Sequence, residues 1–197
     1  LACFIMFIFF NIVVYYSMDS CGNLEEDCIL LYNFLDYELA GSKSGTSRKQ
    51  MFQNGHNRQQ PKNSYSITIG HTFRSYISPT KNREPSKLFD QMYETVLYSN
   101  KPYIIEYLKE FASFHFPDFE WTEVQINYNW KSPPHYDKGN IGSSLIIGLG
   151  DYSGGELVVE KENGPEIVNI HDTPYIFDGC RYRHWTKDFN GNRMSVV

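Results

Sequence analysis

The triplet His135-Tyr136-Asp137 puts an imidazole and a carboxylate two residues apart, and in an extended chain positions i and i+2 project from the same face. One metal ion can take both. Alone, the triplet reads equally well as a surface histidine beside a solvated aspartate. Two residues downstream shift that balance: His184 lies 49 residues on, at the head of His184-Trp185-Thr186, and Arg193 a further nine. Two histidines and one carboxylate on one side of an ion form a facial triad that leaves positions open for a chelating ligand and dioxygen, which suits iron(II); a closed structural zinc site calls for a fourth protein ligand. Arg193, one strand later, can reach the same interior and form a two-pronged pair with a dicarboxylate, a task its planar fork performs better than lysine. Ser195 is the next residue on that face, with a hydroxyl able to donate to the same carboxylate.

These residues need a scaffold of strands. From Trp121 onward the chain breaks into short β-rich runs at 121–129, 143–149, 156–160, 166–170, 174–177, 181–185 and 192–197, punctuated by Gly150-Asp151-Tyr152-Ser153-Gly154-Gly155, Asn163-Gly164-Pro165, Asp178-Gly179 and Asn190-Gly191. Many short strands at even spacing imply a barrel or jelly-roll. The chain ends inside the last run, so that strand is expected to be cut at its C-terminal end. Upstream, 64–70 reads as a strand. Two helical stretches come next, one opened by Pro85-Ser86 with Leu88, Phe89, Met92, Val96 and Leu97 at helical spacing, the other by Pro102 with Ile104, Ile105, Leu108, Phe111 and Ala112. The fold class is therefore mainly β with flanking helices (α+β), one N-terminal helical and loop support region at 18–120 and a β core at 121–197. No internal repeat is evident.

Other residues read more plainly. His171-Asp172 are neighbours whose side chains would point to opposite faces of a strand, so they are a turn pair. His71 and His115, among aromatic and apolar neighbours, are structural, and Cys180 is a packing residue. The glycines at 148–155 lack the strand, turn and helix context of a dinucleotide loop and are read as tight turns. Cys3, Cys21, Cys28 and Cys180 form no Cys-x-x-Cys pair and no disulfide framework, which fits a reducing compartment.

With 197 residues, 41% hydrophobic, the chain can bury one good core. Net charge is −5 but unevenly spread. Residues 39–83 hold no Asp or Glu and eight basic residues (Lys43, Arg48, Lys49, Arg58, Lys62, Arg74, Lys81, Arg83), leaving −13 on the remainder. That separation fits a polyanion-binding arm on an acidic domain, and fits a solvated mobile loop equally well, since 41–63 is rich in Gly, Ser, Gln and Asn. Residues 1–17 are almost wholly apolar, the composition of a signal-peptide core, a membrane anchor or a buried helix, while Met18 opens a polar segment like an ordinary N-terminus. A start at Met18 implies a cytoplasmic or nuclear protein; residues 1–17, if part of the mature chain, imply membrane anchoring or secretion. Oligomeric state is not legible.

In its order His-x-Asp, His, Arg-x-Ser, its spacings and its strand pattern, residues 121–197 resemble the double-stranded β-helix core of the Fe(II)/2-oxoglutarate dioxygenase superfamily. SSLIIGLGDYSGGELVV, FDGCRYRHWT and GNRMSVV resemble the branch holding the base-J-pathway thymine hydroxylases and the TET methylcytosine dioxygenases. The resemblance implies a jelly-roll packed by N-terminal helices, with Fe(II) on His135, Asp137 and His184. It also implies 2-oxoglutarate held by Arg193 and Ser195, dioxygen as oxidant, and ascorbate as auxiliary reductant. Other members use an Asn-x-Tyr pair on the first core strand for the cosubstrate. Here Asn127 and Asn129 share a face, without the tyrosine. Three functions are open: a nucleobase hydroxylase whose basic stretch tracks DNA or RNA phosphates, a hydroxylase of a protein side chain or small metabolite, and an inactive jelly-roll binding module. Salt-dependent nucleic-acid binding separates the first from the second; absence of iron binding would favour the third.

Overall fold

The computed structural model describes residues 22–42, 63–73, 92–94, 97, 100–137, 140 and 142–197. The apolar segment 1–17 and most of the basic stretch 39–83 lie outside them. Eleven strands and two long helices are seen among the described residues: α1 (Leu24–Leu39), β1 (Tyr65–Phe73), β2 (Met92–Glu94), α2 (Pro102–His115), β3 (Glu123–Tyr128), β4 (Ser144–Leu149), β5 (Tyr152–Gly154), β6 (Leu157–Lys161), β7 (Gly164–Val168), β8 (Tyr175–Phe177), β9 (His184–Thr186), β10 (Phe189–Gly191) and β11 (Met194–Val196). No helix among the described residues is long and apolar enough to cross a membrane.

The major sheet has the order β2-β1-β3-β11-β4-β8, the minor sheet β7-β6-β9, and every pairing is antiparallel. From β4 on, the chain alternates between them, with β4, β8 and β11 in the major sheet and β6, β7 and β9 in the minor. This alternation makes a jelly-roll, the double-stranded β-helix expected. Ile146, Tyr175, Phe177 and Val197 from one sheet pack on Leu157, Val159 and Val168 from the other, so the sheets face each other. The two crossovers, β4 to β6 and β9 to β11, pair as the ribbon β5-β10. Both ribbon strands come from segments that read as turns, because their glycines mask three-residue strands.

Period-two alternation divides the major sheet. Tyr65, Ile69, Val124, Ile126, Ile147, Leu149 and Met194 pack against the helices, where α1 supplies Leu31, Leu35 and Leu39 and α2 supplies Ile104, Leu108 and Phe111. The intervening residues turn inward. Helix α1 is capped by Asn23, whose Oδ1 accepts from Glu25 N at 3.1 Å, with Glu25, Glu26 and Asp27 in its first turn where the helix dipole favours negative charge. Helix α2 starts at Pro102 and is tied to α1 by His115 Nε2 and Asp27 Oδ2 at 2.9 Å, so His115 is structural.

Three expectations need correction. Met92, placed on a helix opened at Pro85, lies in β2, where Met92–Glu94 extend the sheet by pairing with β1; of that helix's other residues, Leu97 is helical and the rest lie outside the described residues. The hairpin turn falls on Glu162-Asn163, with Gly164 and Pro165 already in β7. Proline is tolerated there because β7 is an edge strand. Cys180, expected to pack, is exposed on the turn before β9.

Candidate metal centre and carboxylate site

His135 is set by a two-residue bridge to His184: His135 N donates to His184 O at 3.0 Å and His184 N to His135 O at 2.9 Å. Two imidazoles from residues 49 apart in sequence are thereby placed with ring centres 4.3 Å apart. Asp137 N donates to Gly179 O at 2.9 Å, which brings the aspartate to the same end of the barrel. The turn that presents Gly179 is organised by Asp178, whose Oδ1 accepts from Cys180 N and Arg181 N. A Cβ on Gly179 would stand 2.8 Å from Asp137 Oδ2 and 3.3 Å from His184 Cε1, so a larger residue there would push on both side chains.

The ligand atoms of His135, Asp137 and His184 lie within 4.8 Å of one another. Nε2 of His135 is 3.5 Å from Asp137 Oδ1 and Nε2 of His184 is 3.3 Å from Asp137 Oδ2. Two ligand atoms each about 2.1 Å from one ion stand roughly 3.0 to 3.4 Å apart between octahedral and tetrahedral angles, so the Asp137–His184 spacing matches a shared ion and the Asp137–His135 spacing lies just above that range. Tautomers agree. His135 Nδ1 is 2.7 Å from Pro133 O and His184 Nδ1 is 3.0 Å from Tyr182 O. A carbonyl only accepts, so each Nδ1 carries the proton and each Nε2 keeps its lone pair toward the shared point. Burial by itself would raise the Asp137 pKa, but with no metal bound and the two rings protonated at Nε2, hydrogen bonds and charge from His135 and His184 outweigh it and hold the carboxyl well below the usual carboxylate range. His184 is buried, with Phe177 edge-on at 4.9 Å.

The inner face of the major sheet continues the site. Ser66, Asn127, Ser195 and Gly148 lie side by side across β1, β3, β11 and β4. Ser66 Oγ donates to Asn127 Oδ1 at 2.6 Å, and Asn127 Nδ2 to Ser195 Oγ at 3.3 Å, which leaves Ser195 its own hydroxyl proton to donate. Asn129 leaves the row. It adopts a φ of 47°, and its Oδ1 accepts from Arg193 N at 2.8 Å while its backbone N donates to Arg193 O. Asn127 thus stands in the interior, and Asn129 fixes the backbone of Arg193.

Arg193 is 1% exposed, and burial lowers its pKa. Its guanidinium carbon lies 5.5 Å from the Tyr152 ring centre and 5.7 Å from that of Phe189, one ring from each strand of the crossover ribbon. Nε donates to Gly155 O at 3.2 Å, and a Cβ on Gly155 would stand 2.8 Å from Arg193 Cδ, so glycine is required for this approach. Arg193 Nη1 and Tyr152 Oη are both buried and make no hydrogen bond of ordinary geometry among the described residues, although the two groups face and stabilise each other electrostatically. Burial raises the Tyr152 hydroxyl to about 12 against the opposing charge of Arg193, so it remains a donor at neutral pH. A buried cation with an open donor, beside a buried open hydroxyl, calls for an anion.

Tyr152 and Gly179 escaped the sequence reading, since both sit in runs read as turns. The usable signal was an aromatic residue inside a glycine-rich turn.

No family model and no curated protein matches the chain. Among solved structures it is similar to an oxidoreductase of the 2OG-Fe(II) oxygenase family from Burkholderia pseudomallei, at 19% identity over 76% of this chain and 74% of that one, with a TM-score of 0.43. It is similar also to a Pseudomonas putida prolyl-4-hydroxylase, at 13% identity, 90% and 86% coverage and a TM-score of 0.47. A third is NgTET1 in complex with 5mC DNA, at 16% identity, 85% and 66% coverage and a TM-score of 0.44. Each is a likeness to another protein's structure; the chemistry of the site rests on the residues above.

Proposed function

We propose that this protein is an iron(II)- and 2-oxoglutarate-dependent oxygenase that hydroxylates a substrate C–H bond. The observation that carries this reading is the pairing of a His-Asp-His cluster, its candidate ligand atoms within 4.8 Å of one another, with a buried arginine whose Nη1 makes no hydrogen bond of ordinary geometry among the described residues. Three protein ligands leave an iron(II) ion open on one side. Gly155 O, the acceptor of Arg193 Nε, lies four residues from Val159, the strand partner of His184.

When bound there, iron(II) with 2-oxoglutarate and dioxygen supplies the oxidising power to place one oxygen atom on a substrate carbon, with succinate and carbon dioxide as the other products. The chain's own residues do the rest. Arg193 neutralises the distal carboxylate, with Tyr152 and Ser195 as hydroxyl donors and Asn127 orienting Ser195. Pro133 O and Tyr182 O hold the two imidazoles in the tautomer that can ligate. Phe177, Ile146 and Val159 close the barrel beside the centre and exclude water.

The substrate class we propose is a nucleobase in DNA or RNA, on the ground of the acid-free residues 39–83 with their eight basic side chains. Succinate release by the purified protein with iron(II), ascorbate and 2-oxoglutarate tests both levels when methylated DNA, RNA and a peptide pool are supplied separately. Stimulation by nucleic acid, lost with Arg48, Lys49 and Arg58 neutralised, supports the nucleobase reading. Stimulation by the peptide pool alone would replace it with side-chain hydroxylation. Release that survives His135→Ala would refute the metal assignment.

A further inference from the structure

Beneath the carboxylate site lies a group of side chains that the proposed reaction does not use. His171 forms a parallel bridge to Gly148, fixed by Gly148 N to Ile170 O at 2.7 Å and Asp172 N to Gly148 O at 2.8 Å. Its Nε2 is 2.8 Å from Gly150 O, which sets the ring plane. The ring lies on Tyr152, centres 4.3 Å apart and planes 34° from parallel. Asp172 turns back at a φ of 49° to bring Oδ2 within 3.5 Å of His171 Nε2. Its other neighbour is the buried thiol of Cys28 on α1, which burial, with Asp172 next in weight, pushes up to about 12. Tyr152 is thus held from one side by His171, while its hydroxyl passes over the bare Cα of Gly148, where a Cβ would stand too close to the tyrosine oxygen to be accommodated. The Arg193 guanidinium carbon lies 5.5 Å from the Tyr152 ring centre.

We infer that His171 is a positioning residue for the distal carboxylate of the cosubstrate: through Tyr152 it fixes where the tyrosine hydroxyl and the Arg193 guanidinium present their donors. The inference rests on the proposed oxygenase reading and adds a residue to its binding site. Two features argue for a directed role. His171 has its own acceptor in Gly150 O and the Asp172 carboxylate near the same nitrogen, so its ring orientation is fixed independently of Tyr152. The ring it supports carries the buried hydroxyl that makes no hydrogen bond of ordinary geometry among the described residues. A donor aimed by a rigid neighbour loses less freedom on binding than one that must first be ordered.

The test uses the full chain loaded with iron(II) without oxygen and titrates 2-oxoglutarate and pyruvate separately, with the visible absorption of the 2-oxo acid complex as readout. Pyruvate has the metal-chelating end and lacks the distal carboxylate. His171→Ala is expected to weaken 2-oxoglutarate about tenfold, the scale of one misplaced charged hydrogen bond, and to leave pyruvate affinity and iron content unchanged. His171→Phe keeps the ring on Tyr152 and is expected to recover most of the loss. Equal weakening of both acids, or none of either, would overturn the positioning role and leave a merely structural residue. A wild-type protein that binds iron and pyruvate but shows no preference for 2-oxoglutarate would overturn the oxygenase reading itself, and this inference with it.

Discussion

The two faces of the six-stranded sheet are built from the same strands and differ in nearly everything else. Toward the helices β3 presents Val124, Ile126 and Tyr128, and β11 presents Met194 and Val196, packed on leucines and isoleucines of α1 and α2. Toward the interior the same strands present Gln125, Asn127 and Ser195, with Arg193 just ahead of β11, hydrogen-bonded across the sheet or holding a buried charge. A fully apolar core could cover both faces more cheaply, because every inward polar group must find a partner. The inner face therefore departs from what stability alone would select. The buried guanidinium of Arg193 beside the Tyr152 hydroxyl is the clearest instance.

Substitutions on each face should separate function from stability. Replacing His135 by alanine should cut bound iron from one per chain to near zero and abolish turnover, read by metal analysis and succinate release, with little change in thermal midpoint. If iron is retained, the centre is elsewhere. Arg193→Leu should weaken 2-oxoglutarate by about 30-fold to a few thousand-fold, from the 2 to 5 kcal/mol typical of breaking a buried charged contact, while iron still binds. On the opposite face, Leu35→Ala should lower unfolding free energy by about 2 to 5 kcal/mol in denaturant titration and leave cosubstrate affinity unchanged in the folded protein. A large loss of affinity there would mean that the two faces are coupled. The smallest effect is expected from Asn129→Ala, which removes the side-chain bond to Arg193 N at 2.8 Å. About 1 kcal/mol should be lost, and it should appear in 2-oxoglutarate affinity because the bond aims Arg193.

The contrast between the faces also explains how much was legible in the sequence. Residue type and spacing singled out the candidate metal cluster, since a facial triad needs few residues and His135, Asp137, His184 and Arg193 are chemically distinctive. Short strands at even spacing after Trp121, set off by turn residues, carried the jelly-roll, because a chain of short strands must close or double its sheet to bury a core. Helix α1 carries Asn23 as cap, acids in the first turn and Leu31, Leu35 and Leu39 at helical spacing, but the exposed Ile29, Leu30 and Tyr37 blur its apolar stripe. The Met92 strand was hidden: three residues long and paired only at a sheet edge, it is defined by its neighbour β1 and not by its own sequence. Tyr152, Gly155 and Gly179 were hidden for another reason. Their roles depend on which remote atoms approach them, Arg193 for Tyr152 and Gly155 and Asp137 for Gly179, and long-range approach leaves no local signal.

Titrating the iron(II)-loaded protein with 2-oxoglutarate in the absence of oxygen probes the metal centre and the carboxylate site together. A visible charge-transfer absorption is expected that saturates at one 2-oxoglutarate per iron, is absent in Asp137→Ala and moves to much higher concentration in Arg193→Leu. Wild-type protein that retains no iron, or retains it and shows no such absorption at any 2-oxoglutarate concentration, would refute the assignment of this site to iron(II) and 2-oxoglutarate.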